Sequence, residues 1–400
     1  MPWTLAFVLV VFAPLAAINY YVWRKVYSAL CELTTWDRDR LRIVSVGLHV
    51  WVSLLPVVYI ISYLILGRRA IPTFAGDSFL IDFLFSYPFW ITLVILVQLF
   101  LLFALLDVLE IAMLRFVPAV KQWFRRRSSL IHASLVVIIS FYSVVTIVRD
   151  TWSVRVVEHK VVLPPQFKPL HGFRIAQISD VQEDGRTTAK DLRRYVEKVN
   201  SLHPDIVLFA GDLITSGIHY IDSSAEIMGG LRSRFGTIAA IGDHDRWSNK
   251  TMVVEALGRG GIRIIEDSTV VLSIDGARMA ISVVTYTYSQ RPSKEKLGSL
   301  PVGTDGAFRL FLVHQPAESI VQFARQNGYN LLVAGHTHGG GLALGIPGLF
   351  LFAPASFETN YVSGLFQVDQ MVVSVTNGLG LTLSPIRFNA PAEITILNLQ

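Results

Sequence analysis

Apolar and polar positions follow two different patterns along this 400-residue chain. Before residue 150, long apolar runs alternate with short segments that carry arginine and lysine. From residue 173 onward, short apolar segments alternate with segments in which apolar residues recur every three or four positions. The first pattern predicts membrane-spanning helices, and the second predicts a folded domain in which strands and helices alternate.

Four apolar runs in the first part are long enough to cross a bilayer, and they predict a transmembrane anchor of about four helices over residues 1–150. The predicted spans are residues 4–23, 43–67, 85–106 and 129–148. A cleaved signal peptide is the competing interpretation of the first run. Because this run lacks a basic start and is longer than a typical signal core, we predict that the first helix is retained.

The distribution of basic residues predicts how the spans are oriented. Arginine and lysine are concentrated at residues 24–42 and 115–128, whereas the segment between the second and third spans carries Arg68 and Arg69. Because basic loops stay in the cytoplasm, both termini and the folded domain are expected outside it. If residues 79–114 cross the membrane twice, the orientation inverts.

Composition narrows the class of protein further. The chain is 52% hydrophobic and 16% charged, which is unusual for a single soluble domain. Many of the basic residues behind its net charge of +5 flank the apolar runs, so we expect no nucleic-acid partner. Cys31 is the single cysteine, which excludes an intrachain disulfide and a cysteine-based zinc site.

The second part is predicted to be an α/β domain with two packed sheets over residues 173–400, after a linker and a first strand within residues 151–172. Predicted strands lie at residues 155–163, 174–179, 205–210, 237–241, 263–266, 270–273, 277–284, 309–313, 331–334, 371–375 and 393–397. Predicted helices lie at residues 188–202, at residues 252–257 and between Pro316 and Gly328.

Five of the predicted strands end in residues that can bind a metal ion. These ends are Asp180-Val181-Gln182, Gly211-Asp212, Gly242-Asp243-His244-Asp245, His314 and Gly335-His336-Thr337-His338. A single strand that ends in aspartate is ordinary, and two histidines in a loop can simply be solvated. Because the carboxyl ends of strands converge in an open α/β sheet, five such ends predict one pocket. Its mixture of oxygen and nitrogen ligands suits manganese, iron or zinc better than calcium.

In this order, the motifs resemble the signature of the calcineurin-like metallophosphoesterase superfamily, roughly over residues 163–400. The segments Thr376-Asn377-Gly378-Leu379-Gly380 and Pro385-Ile386-Arg387-Phe388 are similar to a bacterial, membrane-associated branch with a Gly-His-Thr-His-Gly-Gly motif. The resemblance implies a four-layer αββα sandwich that follows the transmembrane helical bundle. Together with the charge distribution, it implies an integral protein of the bacterial inner membrane with its catalytic domain outside the cytoplasm.

The resemblance also implies a role for each residue of the pocket. Two divalent metal ions are implied, manganese foremost, with zinc, iron or magnesium as alternatives. The first ion is assigned to Asp180, Gln182 and His338, the second to Asp243, His314 and His336, and Asp212 bridges both. His244 contacts the phosphoryl oxygen or protonates the leaving group, and Asp245 orients the His244 ring. The implied reaction is hydrolysis of a phosphodiester or pyrophosphate, and the implied substrates include lipid-linked ones.

Two positions depart from the signature, which usually has histidine where Gln182 stands and asparagine where Asp243 stands. Glutamine can ligate through its carbonyl oxygen and favours manganese or magnesium. The aspartate adds a negative charge, which should tighten metal binding and weaken the attraction for phosphate. A catalytically weakened, membrane-bound binding or sensory protein on the same fold is therefore the alternative, and the presence of His244 favours the enzyme.

An apolar loop follows the histidine motif at residues 345–357. It contains Ile346, Leu349, Phe350, Leu351, Phe352 and Phe357. Two interpretations are open. The loop is either a flap that packs on the core, or an apolar wall beside the metals that suits a lipid tail or the membrane surface.

Overall fold

The computed structural model describes residues 3–67, 78–113, 118–346 and 350–400, except for the side chains of residues 3–13 and of a few residues beside the gaps. The chain separates into two compact units, unit 1 (Met1–Val148) and unit 2 (Arg149–Gln400). The separation falls where the long apolar runs give way to the alternating pattern.

Helices make up nearly all of the described part of unit 1. They are α1 (Trp3–Leu33), α2 (Arg38–Leu66), α3 (Phe79–Ile81), α4 (Tyr87–Met113) and α5 (Pro118–Trp152), with a π-helical turn at Asp82–Ser86. Among the described residues, three helical runs are long and apolar enough to cross a membrane: Arg38–Ile65, Phe79–Ala112 and Gln122–Trp152. These helices support integration of the protein into a membrane.

The number and orientation of the spans stay predictions. Phe79–Ala112 forms one continuous helical run, so this stretch contains no second crossing. The predicted span at residues 4–23 lies within α1, but half of its side chains, those of residues 4–13, lie outside the described part of the structure. The basic residues Arg68, Arg69 and Arg115, which enter the prediction of orientation, lie outside the described residues as well.

Strands form the centre of unit 2. They are β1 (Val154–Val161), β2 (Arg174–Ile178), β3 (Ile206–Phe209), β4 (Thr237–Ala239), β5 (Arg263–Ile264), β6 (Ser268–Ile274), β7 (Ala277–Val284), β8 (Phe308–Val313), β9 (Leu331–Ala334), β10 (Leu344–Ile346), β11 (Phe350–Phe352), β12 (Gly364–Val368), β13 (Met371–Val375) and β14 (Ala392–Leu399). Sheet 1 has the order β1-β14-β2-β3-β4-β5, and sheet 2 has the order β12-β13-β9-β8-β7-β6. Strands β10 and β11 form a separate antiparallel pair.

Both sheets have a parallel centre. Strands β2 to β5 run parallel in sheet 1, and β7, β8, β9 and β13 run parallel in sheet 2. Strand β1 pairs along its whole length with β14, which is antiparallel to β2. The strand that the sequence grouped with the linker is therefore part of sheet 1. Parallel centres bring the carboxyl ends of neighbouring strands to the same edge of each sheet.

Helices cover the outer face of each sheet. They are α6 (Ala189–Ser201), α7 (Ile221–Met228), α8 (Asp243–Arg259), α9 (Lys294–Ser299) and α10 (Glu318–Gln326). One apolar core joins α6, α7 and α8 to sheet 1, a second lies between the sheets, and a third joins sheet 2 to α9 and α10. These layers confirm the predicted four-layer αββα architecture.

Helix α6 illustrates how the local sequence specifies an element. Thr188 and Asp191 form a capping box that satisfies amides at the start of the helix. Leu192, Val196 and Val199 recur at helical spacing and are buried against sheet 1.

In the described part of unit 2, the helices α7 and α9, the strands β10, β11 and β12, and the first half of α8 were not predicted. The prediction placed a helix at residues 252–257, whereas α8 begins at Asp243. Its first turns carry polar residues in place of an apolar stripe, and the backbone of Asn249 departs from helical geometry with φ −167°. Helix α10 begins at Glu318, two residues after the predicted start at Pro316.

Candidate metal centre

The predicted ligands lie immediately after strands of both sheets. Asp180, Gln182, Asp212 and Asp243 follow β2, β3 and β4 of sheet 1, whereas His314, His336 and His338 follow β8 and β9 of sheet 2. Five of them have a backbone in the left-handed region, with φ of 51° at Asp180, 45° at Gln182, 62° at Asp212, 72° at His336 and 50° at His338. Such conformations are costly for residues other than glycine and concentrate at functional sites.

Two buried oxygens on the sheet 1 side accept no hydrogen bond from any described residue. Asp180 Oδ1 and Gln182 Oε1 are buried and have no hydrogen-bond partner within the described part of the chain. The other end of the Gln182 amide, Nε2, donates to Asp212 Oδ2 at 3.1 Å. A buried acceptor without a donor is destabilising, so these oxygens suit a bound cation.

The imidazoles of sheet 2 meet these carboxylates directly. His314 Nε2 lies 3.3 Å from Asp212 Oδ2, and His338 Nε2 lies 3.4 Å from Asp180 Oδ1. His336 Nδ1 lies 3.2 Å from Asp243 Oδ2 and 3.3 Å from His314 Nε2. All seven predicted ligands are thus linked by short contacts.

The donor atoms form two overlapping groups. Asp243, His314 and His336 offer ligand atoms within 4.8 Å of one another, and so do Asp180, Asp212 and His314. The sequence assigned His314 to the second ion alone, whereas the structure places it in both groups. Carboxylates and imidazoles at this spacing fit divalent cations, as do the two buried oxygens that accept no hydrogen bond from the described residues, Asp180 Oδ1 and Gln182 Oε1.

The charges of the cluster are strongly coupled. Burial opposes a charge on His314, but the carboxylate of Asp212 overcomes this effect and raises the pKa of the imidazole well above its usual value. Burial likewise opposes a charge on His336, yet Asp243 and Glu358 raise its pKa to about 9. For His338, burial prevails and lowers the pKa to about 4. The centre attracts positive charge, which divalent cations would supply in place of protons.

Hydrogen bonds orient two of the histidines. His314 Nδ1 donates to the carbonyl of Ala210 at 2.7 Å, which directs Nε2 towards the carboxylates. His336 Nε2 lies 3.1 Å from Glu358 Oε1, 3.2 Å from Tyr288 Oη and 3.3 Å from Gln315 Nε2. Sequence motifs did not identify these three partners, because none of them belongs to the ordered motifs.

The structure corrects the role predicted for Asp245. Its carboxylate accepts hydrogen bonds from the amides of Asp212 at 2.9 Å, Leu213 at 2.7 Å and Gly242 at 3.0 Å. The ring of His244 is held instead by a hydrogen bond from Nδ1 to the Thr215 carbonyl. Burial, then the charge of Asp212, raise the pKa of Asp245 to about 6. Asp245 therefore fixes the backbone around Asp212 and not the imidazole beside it.

His244 reaches the centre through its main chain. Its amide donates to Asp212 Oδ1 at 2.9 Å, at the first residues of α8. Because Nδ1 is occupied by the Thr215 carbonyl, Nε2 is the ring nitrogen that remains for proton exchange.

Close backbone approach explains two of the glycines. A Cβ on Gly335 would lie 1.9 Å from Ser179 Oγ and 2.6 Å from Asp180 Oδ2. A Cβ on Gly378, which has φ +68°, would lie 2.7 Å from Asp180 Cβ. Both positions exclude a side chain, because the backbone at Gly335 and at Gly378 lies close to the Asp180 side chain.

Arg387 is a buried cation that contacts the predicted ligand His338. It donates to the carbonyls of Ala390 at 2.9 Å, Asn377 at 3.0 Å, Gly380 at 3.1 Å and His338 at 3.3 Å. Its Nη2 also lies 3.4 Å from His338 Nδ1. Burial lowers the pKa of Arg387 to about 10, so the guanidinium stays charged at neutral pH. The side chain ties the histidine motif to the Thr376–Gly380 segment.

The apolar loop lies beside the histidine motif. A Cβ on Gly340 would lie 2.3 Å from Ala353 Cβ, which shows how closely the two segments approach. The rings of Phe352 and Phe357 pack edge to face with their centroids 5.3 Å apart, and both side chains are exposed. For these two residues, the buried-flap interpretation is wrong. Residue 349 and the side chains of residues 346, 350 and 351 lie outside the described residues.

Several known proteins have sequences similar to that of this chain. Residues 173–340 match the family described as calcineurin-like phosphoesterase. The chain is 31% identical over 235 residues to the uncharacterized metallophosphoesterase YkuE of Bacillus subtilis (strain 168), covering 57% of this chain and 79% of that protein.

Two further relatives carry more specific names. The chain is 27% identical over 262 residues to a transmembrane protein with metallophosphoesterase domain of Danio rerio, covering 62% of this chain and 57% of that protein. It is 27% identical over 202 residues to the phosphodiesterase YaeI of Escherichia coli (strain K12), covering 49% of this chain and 70% of that protein. The present chain covers 57% of the length of the Danio rerio relative. The match to YkuE in identity and coverage shows that the chain belongs to the calcineurin-like metallophosphoesterases, a family of metal-dependent phosphoester hydrolases.

Proposed function

We propose that the protein is a membrane-anchored enzyme that uses two divalent metal ions to hydrolyse a phosphodiester or a pyrophosphate. The observation that carries this proposal is the meeting of seven oxygen and nitrogen donors from two sheets, two of whose buried oxygens accept no hydrogen bond in the described part of the chain. When bound, two such ions activate a water molecule and stabilise charge on the phosphoryl group. Manganese suits the oxygen-rich half of the donor set, and zinc, iron and magnesium are the alternatives.

We assign the ligands as Asp180, Gln182 and His338 for one ion and Asp243, His314 and His336 for the other, with Asp212 between them. His244 is assigned the proton transfer to the leaving oxygen through Nε2, because Nδ1 already donates to Thr215. Asp245 holds the loop that presents Asp212.

The environment of Asp243 supports an active enzyme over a weakened binding protein. Its Oδ2 accepts from Gln315 Nε2 at 3.0 Å, and its Oδ1 accepts from the Tyr288 amide at 3.2 Å. These donors stabilise the charged carboxylate that stands where the family usually has asparagine. A cation bound at Asp243 would balance this charge.

The decisive experiment measures hydrolysis of bis-p-nitrophenyl phosphate by the full chain in detergent with manganese. We expect turnover that a chelator removes and added metal restores. Asp222→Ala, a change in an exposed ion pair with Arg259, serves as the matched control and should leave turnover unchanged. If no diester, monoester or pyrophosphate is hydrolysed with manganese, zinc or magnesium, the binding or sensory alternative replaces this proposal.

The membrane bilayer and a lipid-linked phosphoester are the proposed partners. Exposed Phe352 and Phe357 beside the histidine motif support a lipid tail as part of the substrate. Membrane lipid extracts, tested as substrates with wild type and Phe357→Ala, measure this directly. Equal rates for the two proteins on every lipid would exclude the loop as the tail site.

We also propose that the protein lies in the bacterial inner membrane with unit 2 outside the cytoplasm, on the basis of the basic residues at 24–42 and 115–128. An alkaline phosphatase fused to the C-terminus should then be active, and a green fluorescent protein at the same position should be dark. The opposite pattern would place unit 2 in the cytoplasm.

A further inference from the structure

A row of aromatic rings extends from the metal centre along the surface of unit 2. The ring of Tyr288 lies 5.3 Å from that of His336, and the ring of Trp247 lies 5.1 Å from that of His244. Between them, the rings of Trp247 and Tyr288 are nearly parallel, with an interplanar angle of 8° and centroids 6.2 Å apart. The row therefore begins and ends at residues that belong to the centre.

The two middle rings are largely exposed. Trp247 is 51% exposed and Tyr288 is 54% exposed. Large aromatic side chains that face solvent beside a reaction centre are typical of ligand-binding surfaces, because a ligand buries the apolar ring area.

Contacts on both sides hold these rings in place. Trp247 stands in the first turns of α8, and Tyr288 stands in the loop after β7. Arg246 joins the two segments, donating to Ser289 Oγ at 3.1 Å and to Gln290 Oε1. The Tyr288 hydroxyl lies 3.2 Å from His336 Nε2. The surface is thus ordered before any ligand arrives, which lowers the entropic cost of binding.

The orientation of the rings favours a planar ligand. Trp247 and Tyr288 are stacked on each other with nearly parallel planes, and a flat ligand ring can extend this stack on an exposed ring face. An alkyl chain gains no such alignment, and the exposed phenylalanines of the 345–357 loop offer it a separate surface. Because the row adjoins His336 and His244, a ligand ring stacked there lies beside the centre that would hold the phosphoryl group.

We propose that Trp247 and Tyr288 form a subsite that stacks a planar aromatic group of the phosphoester substrate. The subsite rests on the proposed phosphoesterase function and specifies its substrate class. An aryl ester and a nucleotide both supply such a ring, linked to phosphorus through the ester oxygen in the first and through a sugar in the second.

The test compares phenylphosphonate with butylphosphonate, which share a phosphonate group that cannot be hydrolysed and differ in a ring or a chain. Calorimetric titration of the manganese-loaded full chain in detergent should give about tenfold tighter binding of the phenyl compound. Trp247→Ala should reduce this ratio to about one, and Trp247→Phe should retain most of it. Inhibition of diester hydrolysis by AMP and by ribose 5-phosphate then separates the sources, since only a nucleotide subsite makes AMP the stronger inhibitor.

Two control variants make the result specific. Val302→Ala changes an exposed residue of unit 2 and should leave the ratio unchanged. If Phe357→Ala abolishes the preference and Trp247→Ala does not, the ring binds the 345–357 loop and the proposal is overturned. Equal affinity of wild type for the two phosphonates, with hydrolysis intact, overturns the subsite alone. Absence of hydrolysis together with absence of phosphonate binding overturns the proposed function as well.

Discussion

The two sheets contribute chemically different halves of the candidate centre. Every oxygen donor follows a strand of sheet 1, at Asp180, Gln182, Asp212 and Asp243, whereas every nitrogen donor follows a strand of sheet 2, at His314, His336 and His338. Neither sheet carries a complete ligand set. The centre is therefore a property of the packing between the sheets, and any change that separates them should remove it.

The two halves are also held in different ways. Backbone amides donate to the carboxylates, as His336 N does to Asp180 Oδ2 and His244 N to Asp212 Oδ1, both at 2.9 Å. A carbonyl oxygen and a buried cation contact the imidazoles: Ala210 O accepts from the His314 ring, and Arg387 Nη2 lies 3.4 Å from His338 Nδ1. Amide donors thus stabilise charge on the oxygen half, whereas an acceptor and a guanidinium orient rings on the nitrogen half.

Asp212→Ala should have the largest effect, because Asp212 is where the halves meet. Its Oδ2 lies 3.3 Å from His314 Nε2 and accepts from Gln182 Nε2 at 3.1 Å. We expect metal content to fall and hydrolysis to drop by at least about 10⁴-fold, since bound metal supplies several kcal/mol and each 1.4 kcal/mol is a factor of ten. Elemental analysis alongside the diester assay checks both. Normal metal content would contradict the assignment.

His244→Ala should have the next largest effect. His244 is the one histidine of the centre that follows a strand of sheet 1, and it lies outside both ligand groups. Loss of a general acid should lower kcat on the order of 10²–10⁴-fold, with metal content and Tm nearly unchanged. Full activity in this variant would show that another group protonates the leaving oxygen.

Arg387→Gln should weaken the nitrogen half specifically. The change leaves buried carbonyls without their donor and frees His338, so metal affinity should fall by about 10–100-fold, in line with other groups that orient metal ligands. Arg259→Gln removes an exposed arginine of similar size and is the matched control, with an expected effect on stability below about 1 kcal/mol. Metal titrations of both variants measure the difference. Equal metal affinities of the two variants would show that Arg387 does not influence metal binding.

Gln182→His should have the smallest effect, because it exchanges one ligand type for another and places a nitrogen in the oxygen half. We expect a few-fold shift in metal preference from manganese towards zinc, while the ligand count and the fold are retained. Competition between the two metals, measured by elemental analysis, checks the shift. An unchanged preference would mean that Gln182 does not contact a metal.

Local sequence patterns were sufficient for most strands and for the positions of the predicted ligands, because each ligand directly follows an apolar strand. They were insufficient for Arg387, since an arginine is ordinarily exposed and its contact with His338 lies 49 residues away along the chain. Local patterns also failed to identify Glu358 and Tyr288, because both contact His336 only in the tertiary fold.

The error at Asp245 has a different origin. Two adjacent titratable residues suggest an interacting pair, but both belong to α8, and consecutive side chains on a helix do not face each other. The same helix was predicted to begin too late, because its first turns carry polar residues and the kink at Asn249 interrupts the periodic pattern. Tertiary contacts of α8, and not its amphipathicity, determine where it starts.

The position of β14 determines when the protein can first function during its synthesis. This strand is the last of unit 2 in the chain, yet it lies between β1 and β2, which are the first two. Until the ribosome has made β14, the nascent chain holds β1 without its partner and leaves one side of β2 open. Pairings between such distant segments form slowly, because closing the intervening loop costs entropy before any contact compensates. We expect metal loading to follow the synthesis of β14, and the unpaired strands to need protection from aggregation until then.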